Sequence, residues 1–323
     1  MVPPSVMESS SSTTRGLRRA GAAVGGRLRA VVLLAGSVRS TSYLRAVGRS
    51  VLGLPMDEHR TLLDLWREQC EDLAWHADLP QPLAMRAMLD RSTAKPPLVE
   101  TSPRLQLGFE NDPGELRGTG GLVSDVAMGF ADDDFLVVVT AAQLMLTPLA
   151  ELVDKMAGLG GDACVVSHAD GTPSSVILIR AGCLRQVSRI GFVDLKEQAL
   201  PAIAKKHSVR VLDSPMPTAL SLRTLAGYVA AVREHHERLA GIDSDHDPFA
   251  EDWRSTFQLV ERGAQVHRGA RVHDSVVLGG ARVEDGAVVV RSVVAPGGVV
   301  ERGQMAVETL VASADSRVRR AVD

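Results

Sequence analysis

Cysteine is scarce in this chain: Cys70, Cys164 and Cys183 are the only three, and no two stand in a C-x-x-C spacing. Scattered and odd in number, they indicate neither a disulfide framework nor a zinc site, and they read as buried thiols. Long apolar runs are missing too. None approaches the roughly 18 residues that a membrane-spanning helix requires, so no membrane partner is expected and the chain reads as cytoplasmic. A surplus of positive charge is also absent. The formal net charge is -3, and a nucleic-acid footprint would need a concentrated basic face. Lysine is rare, and the basic residues are mainly arginine.

Residues 1–28 mix a Ser/Thr run with Arg and Gly and lack the continuous apolar stretch of a secretory signal. They read as a disordered tail. An Arg- and Ser-rich, acid-poor start also suits an organellar transit peptide, and composition leaves the two open. The chain has 323 residues, 45% of them hydrophobic and 23% charged. Two domains are expected, because single cores usually split beyond roughly 250 residues.

Order is expected to begin at RAVVLLAG (29–36), a short apolar run ending in glycine, as a strand buried on both faces reads. RTLLDLWREQCEDLAWH follows with helical spacing of Leu62, Leu63, Leu65, Trp66, Cys70 and Leu73. PLAMRAMLD and PRLQLGFE are weaker strand candidates, and GTGGLVSDVAMGF places glycines before a helix beginning near Leu122. DDDFLVVVTAAQ is the clearest buried strand. Alternation continues through PLAELVDKMAGLGG, DACVVSH, SSVILIR, VDLKEQALPAIAKKH, VRVLD and LRTLAGYVAAVREHHERLAG. Strands and helices alternating over 29–240 predict an α/β domain with a mainly parallel sheet covered on both faces. Ligands on such sheets bind beyond the carboxyl ends of the strands, here the loops after Gly36, around Gly118 and after Val139.

Residues 241–259 are acidic, contain a proline and read as a linker. Beyond it the period changes. Aliphatic residues recur at Val260, Val266, Val272, Val277, Val283, Val289, Val294 and Val300, in steps of six interrupted twice by five. The short steps fall at DSVV (274–277) and RSVV (291–294), so the segment repeats every 17 residues, and ETLV (308–311) echoes it. Such a repeat suits a triangular coil with one inward aliphatic side chain per face and small residues near the corners. Residues 260–313 thus resemble the hexapeptide-repeat left-handed parallel β-helix, and 314–323 read as a C-terminal tail.

The ordered set VVLLAG, GTGG, FLVVVTAAQ, GTPSSVILIR, GFVDLKEQALPAI and SLRTLAGYVAAV resembles sugar-1-phosphate nucleotidyltransferases, the nucleotide-sugar pyrophosphorylases, over about residues 30–232. Several members also carry a C-terminal β-helix. The resemblance implies a Rossmann-like sheet of the nucleotidyltransferase type, and a reaction of sugar-1-phosphate with nucleoside triphosphate giving nucleotide-sugar and pyrophosphate. It also implies the site. Gly36 and Arg39 stand in the family's Gly-rich phosphate loop, and Arg49 stands where a Pro-Lys pair is usual. Gly118, Thr119, Gly120 and Gly121 match its Gly-Thr-x-Gly nucleotide loop. Lys196, in DLKEQ, falls near the sugar-phosphate pocket. A helix-start loop and a surface lysine are the structural alternatives for the last two.

The family's metal site uses two aspartates, one after the central strand and one before the last helix, which hold Mg²⁺ on the phosphates. Here the corresponding residues are Thr140-Ala141-Ala142 and Ser221. Both carboxylates are missing, so Mg²⁺ is expected as a cofactor only if activity survives. Asp132, Asp133 and Asp134 precede the strand and read as a solvated loop, while Asp213 could supply one ligand only through a shift of alignment. His267 and His273 read as solvated corners of the coil, and the exposed-looking pair His235-His236 is given no role. Two functions stay open: an active pyrophosphorylase, or a catalytically silent relative that binds nucleotide or nucleotide-sugar or serves as a regulatory or assembly subunit. The expected partners are a nucleoside triphosphate or nucleotide-sugar, a sugar phosphate, and a second copy of the chain meeting through the β-helix.

Overall fold

The computed structural model describes residues 24, 26–36, 42–91, 94–97, 99–111, 117–169, 171, 173–188, 190–241 and 256–313. Most of the tail read over 1–28, most of the 241–259 linker and the tail at 314–323 lie outside the described residues. Seven strands form the main sheet: β1 (Leu28–Leu34), β2 (Leu83–Leu89), β3 (Leu105–Asn111), β4 (Phe135–Thr140), β6 (Ala163–His168), β7 (Pro173–Arg180) and β8 (Val209–Ser214). Their order is β3-β2-β1-β4-β7-β6-β8. All run the same way except β7, which is antiparallel to both β4 and β6. Sequence alternation alone does not reveal that reversal. Only residues 169–172 separate β6 from β7, far too few for the crossover that a parallel pair needs.

Alternate residues of β1 serve two cores, as the two-residue period of a strand requires. Val31 and Leu33 pack on one side, against α2 (Leu62–His76), α4 (Leu149–Gly158) and α7 (Leu225–Leu239), and a register shift between Leu28 and Ala30 puts Leu28 on that side too. Ala30, Val32 and Leu34 face the other, against α3 (Gly118–Ala127) and residues 195–203. Helix α2 begins where Asp64 Oδ2 accepts the Thr61 N–H at 2.8 Å, satisfying a donor at the helix start. Its fully buried Trp66 donates Nε1–H to the Ala141 carbonyl at 2.9 Å, tying the helix to the end of β4. Two short strands, β5 (Gln143–Met145) and β9 (Ala219–Ser221), form a separate antiparallel ladder just beyond β4. The remaining short helices are α1 (Ser42–Val47), α5 (Ala181–Leu184) and α6 (Leu200–Ala204).

From Gln258 onward the chain forms a short three-sided parallel β-helix. One face is β10 (Gln258–Val260), β13 (Ser275–Val277), β16 (Val293–Val294) and β19 (Leu310–Val311). A second is β11 (Gln265–Val266), β14 (Arg282–Val283) and β17 (Val299–Val300). The third is β12 (Arg271–His273), β15 (Val288–Val290) and β18 (Met305–Val307). Paired residues such as Val276 and Val293, or Val283 and Val300, stand 17 apart. Val272, Val277, Val283, Val289, Val294 and Val300 form its buried interior, with Val260 and Val266 packed against them.

The five-residue corner has a local cause. Asp274, Arg291 and Glu308, one coil apart, hold φ of 48°, 46° and 48°, the left-handed conformation that turns the chain most tightly. Beside that corner, Ser275 Oγ accepts the Ser292 N–H and Ser292 Oγ accepts the Thr309 N–H, each at 3.0 Å. The β10-β13-β16 face rests on the α/β half. Phe257, Leu259, Val276, Leu278 and Val293 belong to the same apolar cluster as β1 and α2. The rings of Phe257 and His236 stack at 5.5 Å, and Arg233 pairs with Asp274 at 2.6 Å.

Candidate functional site

At the carboxyl edge of β1 the glycine requirement comes from chain packing. A Cβ on Gly36 would stand 1.9 Å from the backbone nitrogen of Asp90, just past β2. Ala35 N–H donates to the Met88 carbonyl at 2.9 Å, drawing the two strand ends together. Arg39 lies outside the described residues. Arg49 is held elsewhere: its guanidinium forms two bonds to the carboxylate of Glu261, at 2.7 and 2.9 Å, and a third to the Gly53 carbonyl.

The loop Gly118-Thr119-Gly120-Gly121 forms the first turn of α3, four residues ahead of the start expected near Leu122. It is closed over by residues 193–195. Gly118 has φ +65°, and a Cβ there would lie 2.5 Å from the Val193 carbonyl oxygen; at Gly120 the same oxygen would be 3.0 Å away. Gly120 N–H donates to that oxygen at 2.8 Å. Thr119 Oγ1 donates to Asp194 Oδ2 at 3.1 Å and accepts the Leu195 N–H at 2.9 Å. The helical turn at Leu195–Ala199 is capped by Asp194, whose Oδ1 accepts the N–H groups of Lys196 and Glu197. Glycine is therefore needed here so that two segments of the protein can touch, and the Gly120 N–H and the Thr119 hydroxyl have their partners within the chain.

The two positions at which the resemblance expects metal-binding carboxylates lie together. The β5–β9 ladder sets Gln143 opposite Ser221, and Leu222 N–H donates to the Ala142 carbonyl at 2.9 Å. Ala142 has no ligand atom, and Ser221 Oγ accepts the Arg223 N–H at 3.3 Å. Mg²⁺ takes hard oxygen ligands, typically one or two carboxylates besides phosphate, and this pair of residues does not fit it. Asp213 is no substitute. It sits on β8, with β6 and β7 between it and β4, about 14 Å across the sheet at the usual strand spacing. Asp132, Asp133 and Asp134 stand at the amino end of β4, paired with Arg185, with Arg27 and Arg180, and with Arg29.

Lys196 is half-buried, and its Nζ donates to the Pro173 carbonyl at 3.3 Å. Burial lowers its pKa; the Asp194 charge acts the other way, and the positive charge of Arg223 lowers it further. Among the described residues no carboxylate lies within ion-pair distance of either cation. Two positive groups close enough to act on each other, neither in an ion pair, suit an anion even with the Asp194 charge nearby. Arg223 gave no signal in the sequence, because its effect on Lys196 depends on the fold bringing residues 196 and 223 near each other.

Sequence reasoning missed a second polar cluster. His235, read as exposed, is 6% accessible, and its Nε2 lies 2.9 Å from Asp57 Oδ2 and 3.3 Å from Arg60. Helix α7 turns this face onto the β-turn at residues 55–61, where Tyr228 Oη also donates to the Pro55 carbonyl at 2.6 Å. A cavity of about 160 Å³ lined by Trp66, Gln143, His235 and Arg238 lies beside β5. It is below the roughly 300 Å³ that a small-molecule site usually offers. In the coil, His267 Nδ1 is 3.0 Å from Asp285 Oδ1 at an exposed corner, and His273 is exposed on β12.

No protein-family model matches the sequence, and no curated protein matches it. Among solved structures, the chain is similar to a Bacillus anthracis protein named as a glucose-1-phosphate thymidylyltransferase and solved in complex with a sucrose. The identity is 8%, the TM-score 0.48, and the match covers 65% of this chain and 96% of that one. A protein from Mycobacterium sp. strain JC1, a homologue of a Mycobacterium tuberculosis protein, matches at 17% identity and TM-score 0.43, over 66% of this chain and 100% of that one. Likeness at this level carries no function across.

Among the described residues, no helix is long and apolar enough to cross a membrane.

Proposed function

We propose that this chain is a nucleotide-sugar-pyrophosphorylase-like protein whose carboxyl-edge site binds a sugar phosphate or nucleotide-sugar without Mg²⁺-assisted transfer, acting as a binding, regulatory or assembly subunit. The observation that carries this reading is the meeting of Ala142 and Ser221 across the β5–β9 ladder with no carboxylate on either. Lys196 and Arg223 support the phosphate subsite. Their charge can neutralise a phosphate, while Ala142 and Ser221 lack the anions that would hold a divalent ion.

In this reading the chain's own groups bind and orient. Lys196 Nζ gives hydrogen bonds to a phosphate oxygen in place of the Pro173 carbonyl, and Arg223 contributes long-range charge and a planar donor set. The test has two arms. Pyrophosphate release is measured over a panel of nucleoside triphosphates and sugar-1-phosphates with Mg²⁺, at high protein concentration. Thermal stabilisation by the same ligands is measured with Mg²⁺ and with chelator. The expected outcome is no turnover, with stabilisation by a phosphorylated ligand that does not depend on Mg²⁺ and falls at least tenfold in apparent affinity in Lys196→Gln. Robust turnover would eliminate the silent reading, and stabilisation unaffected by Lys196→Gln would remove the subsite.

A further inference from the structure

At the opposite edge of the sheet, three potential metal ligands that are far apart in sequence converge: the carboxylate of Asp162, the thiol of Cys183 and the imidazole of His207. Their ligand atoms all lie within 4.8 Å of one another. Asp162 immediately precedes β6, Cys183 lies in α5 just after β7, and His207 lies two residues before β8, so three elements meet at one point. We propose that this cluster is a binding site for one zinc-type divalent ion, with Asp162 Oδ2, Cys183 Sγ and His207 Nδ1 as ligands and water in the fourth position.

The set matches the chemistry of zinc, which takes thiolate, imidazole and carboxylate together in tetrahedral geometry. Bond lengths of about 2.0–2.3 Å put tetrahedral ligands about 3.3–3.8 Å apart. His207 Nδ1 and Asp162 Oδ2 already stand at 3.7 Å, and with all three ligand atoms within 4.8 Å the cluster needs to contract by about 1.5 Å at most.

The backbone around it is braced. Asp162 N–H donates to the Ser208 carbonyl at 2.8 Å, Arg180 N–H to the Asp162 carbonyl at 2.8 Å, and His207 N–H to the Ile203 carbonyl at 2.9 Å. Outer partners also orient the ligands. Ser208 N–H donates to Asp162 Oδ2 at 2.9 Å, leaving that oxygen a second lone pair. The Gln186 carboxamide nitrogen faces His207 Nε2; ligation through Nδ1 requires that amide to turn over and present its oxygen to Nε2–H. Arg180 takes the other oxygen, Asp162 Oδ1, at 3.3 Å. Its charge opposes the cation and sets the site below the affinity of an all-cysteine site.

Binding has a defined proton balance. Burial first, and then the Asp162 charge, push the Cys183 thiol up to about 11, while Arg180 acts the other way. At neutral pH the thiol is protonated, so the ion forms the metal–sulfur bond as the S–H proton leaves to solvent, and affinity rises with pH. The site lies on the far edge of the sheet from Lys196 and does not rest on the proposed function.

The test is titration of the full chain with Co²⁺, followed by Zn²⁺. The expected result is one equivalent per chain, tetrahedral d–d bands, a near-ultraviolet thiolate-to-cobalt band, and loss of the spectrum on adding one equivalent of Zn²⁺. Cys183→Ser is expected to abolish the near-ultraviolet band, while Cys70→Ser and Cys164→Ser leave it in place. His207→Ala, at a half-buried loop position, is expected to weaken Co²⁺ at least tenfold, and it carries the test if Cys183→Ser fails to fold. A near-ultraviolet band that persists in Cys183→Ser, unchanged affinity in His207→Ala, or no stoichiometric cobalt binding at micromolar protein overturns the proposal.

Discussion

Arg49 holds Glu261 through two parallel bonds, Nη1 to Oε1 at 2.7 Å and Nη2 to Oε2 at 2.9 Å, across 212 residues of sequence. The pair fastens the turn after α1 to the first corner of the β-helix, where Glu261 Oε2 also accepts the Gly279 N–H at 2.6 Å. Each side chain is only about a quarter exposed, at 25% and 23%, so the bonds are partly shielded from water and carry more than an open surface pair.

Removing the guanidinium leaves a half-buried carboxylate short of its partner. Arg49→Ala is expected to destabilise the fold by about 1–3 kcal/mol in urea unfolding. Arg49→Lys is expected to restore little of this, because an ammonium cannot make the parallel pair. If Arg49 serves a phosphate instead, Arg49→Ala will weaken ligand binding while leaving the unfolding midpoint unchanged.

Gly118→Ala tests whether the Gly-Thr-Gly-Gly turn is a contact within the chain. The substitution meets both a left-handed backbone and a carbonyl oxygen 2.5 Å from the new Cβ. Together these should cost roughly 2 kcal/mol or more. A thermal melt showing wild-type stability for this variant would mean that the 193–195 segment is free to move off the loop.

Asp57 sets an acid limb of stability. Burial taken alone would raise its pKa, but the hydrogen bonds from His235, from the His59 N–H, and from the Arg60 side chain and N–H prevail and hold it well below the usual carboxylate range. A folded-state pKa below the unfolded value of about 3.9 means stability that is present above about pH 4 and lost as pH falls from there toward the folded value. Asp57→Asn is expected to lower stability at pH 7 by about 1–3 kcal/mol and to flatten the decline below pH 4. Parallel melting curves at pH 7, 4 and 3 measure both effects, and an equally steep acid limb in the variant would assign the limb to other carboxylates.

Ala142→Asp with Ser221→Asp should create a divalent-ion site, since the two positions are neighbours across the ladder. Ala142 is only 8% exposed, so the double variant should be less stable than wild type in chelator, by a few kcal/mol for a poorly solvated carboxylate. Mg²⁺ at millimolar concentration should restore part of the loss. Calorimetry showing no Mg²⁺ uptake by a folded double variant would mean that the side chains diverge.

The 17-residue echo of DSVV, RSVV and ETLV was legible without coordinates, because every face of the coil needs one inward aliphatic residue and that demand repeats in order along the chain. The buried strands at 29–36 and 135–140 were legible for the same reason, since continuous apolar runs bounded by glycine or polar loops satisfy a sheet covered on both faces. That residues 142 and 221 carry no carboxylate is a fact of the sequence; that they lie together beside the β5–β9 ladder is not.

Tertiary structure alone decided what the individual site candidates touch. A charged side chain has no periodicity to announce its partner, so Arg49 reads as a phosphate ligand until Glu261 arrives from the β-helix. Gly118 and Gly120 look the same in sequence whether a nucleotide or the Val193 backbone fills the space beside them. The antiparallel course of β7, the burial of His235 and the convergence of Asp162, Cys183 and His207 all come from contacts between residues distant in sequence. Local pattern specifies which face of an element is apolar; which other element covers that face is set by packing of the whole chain.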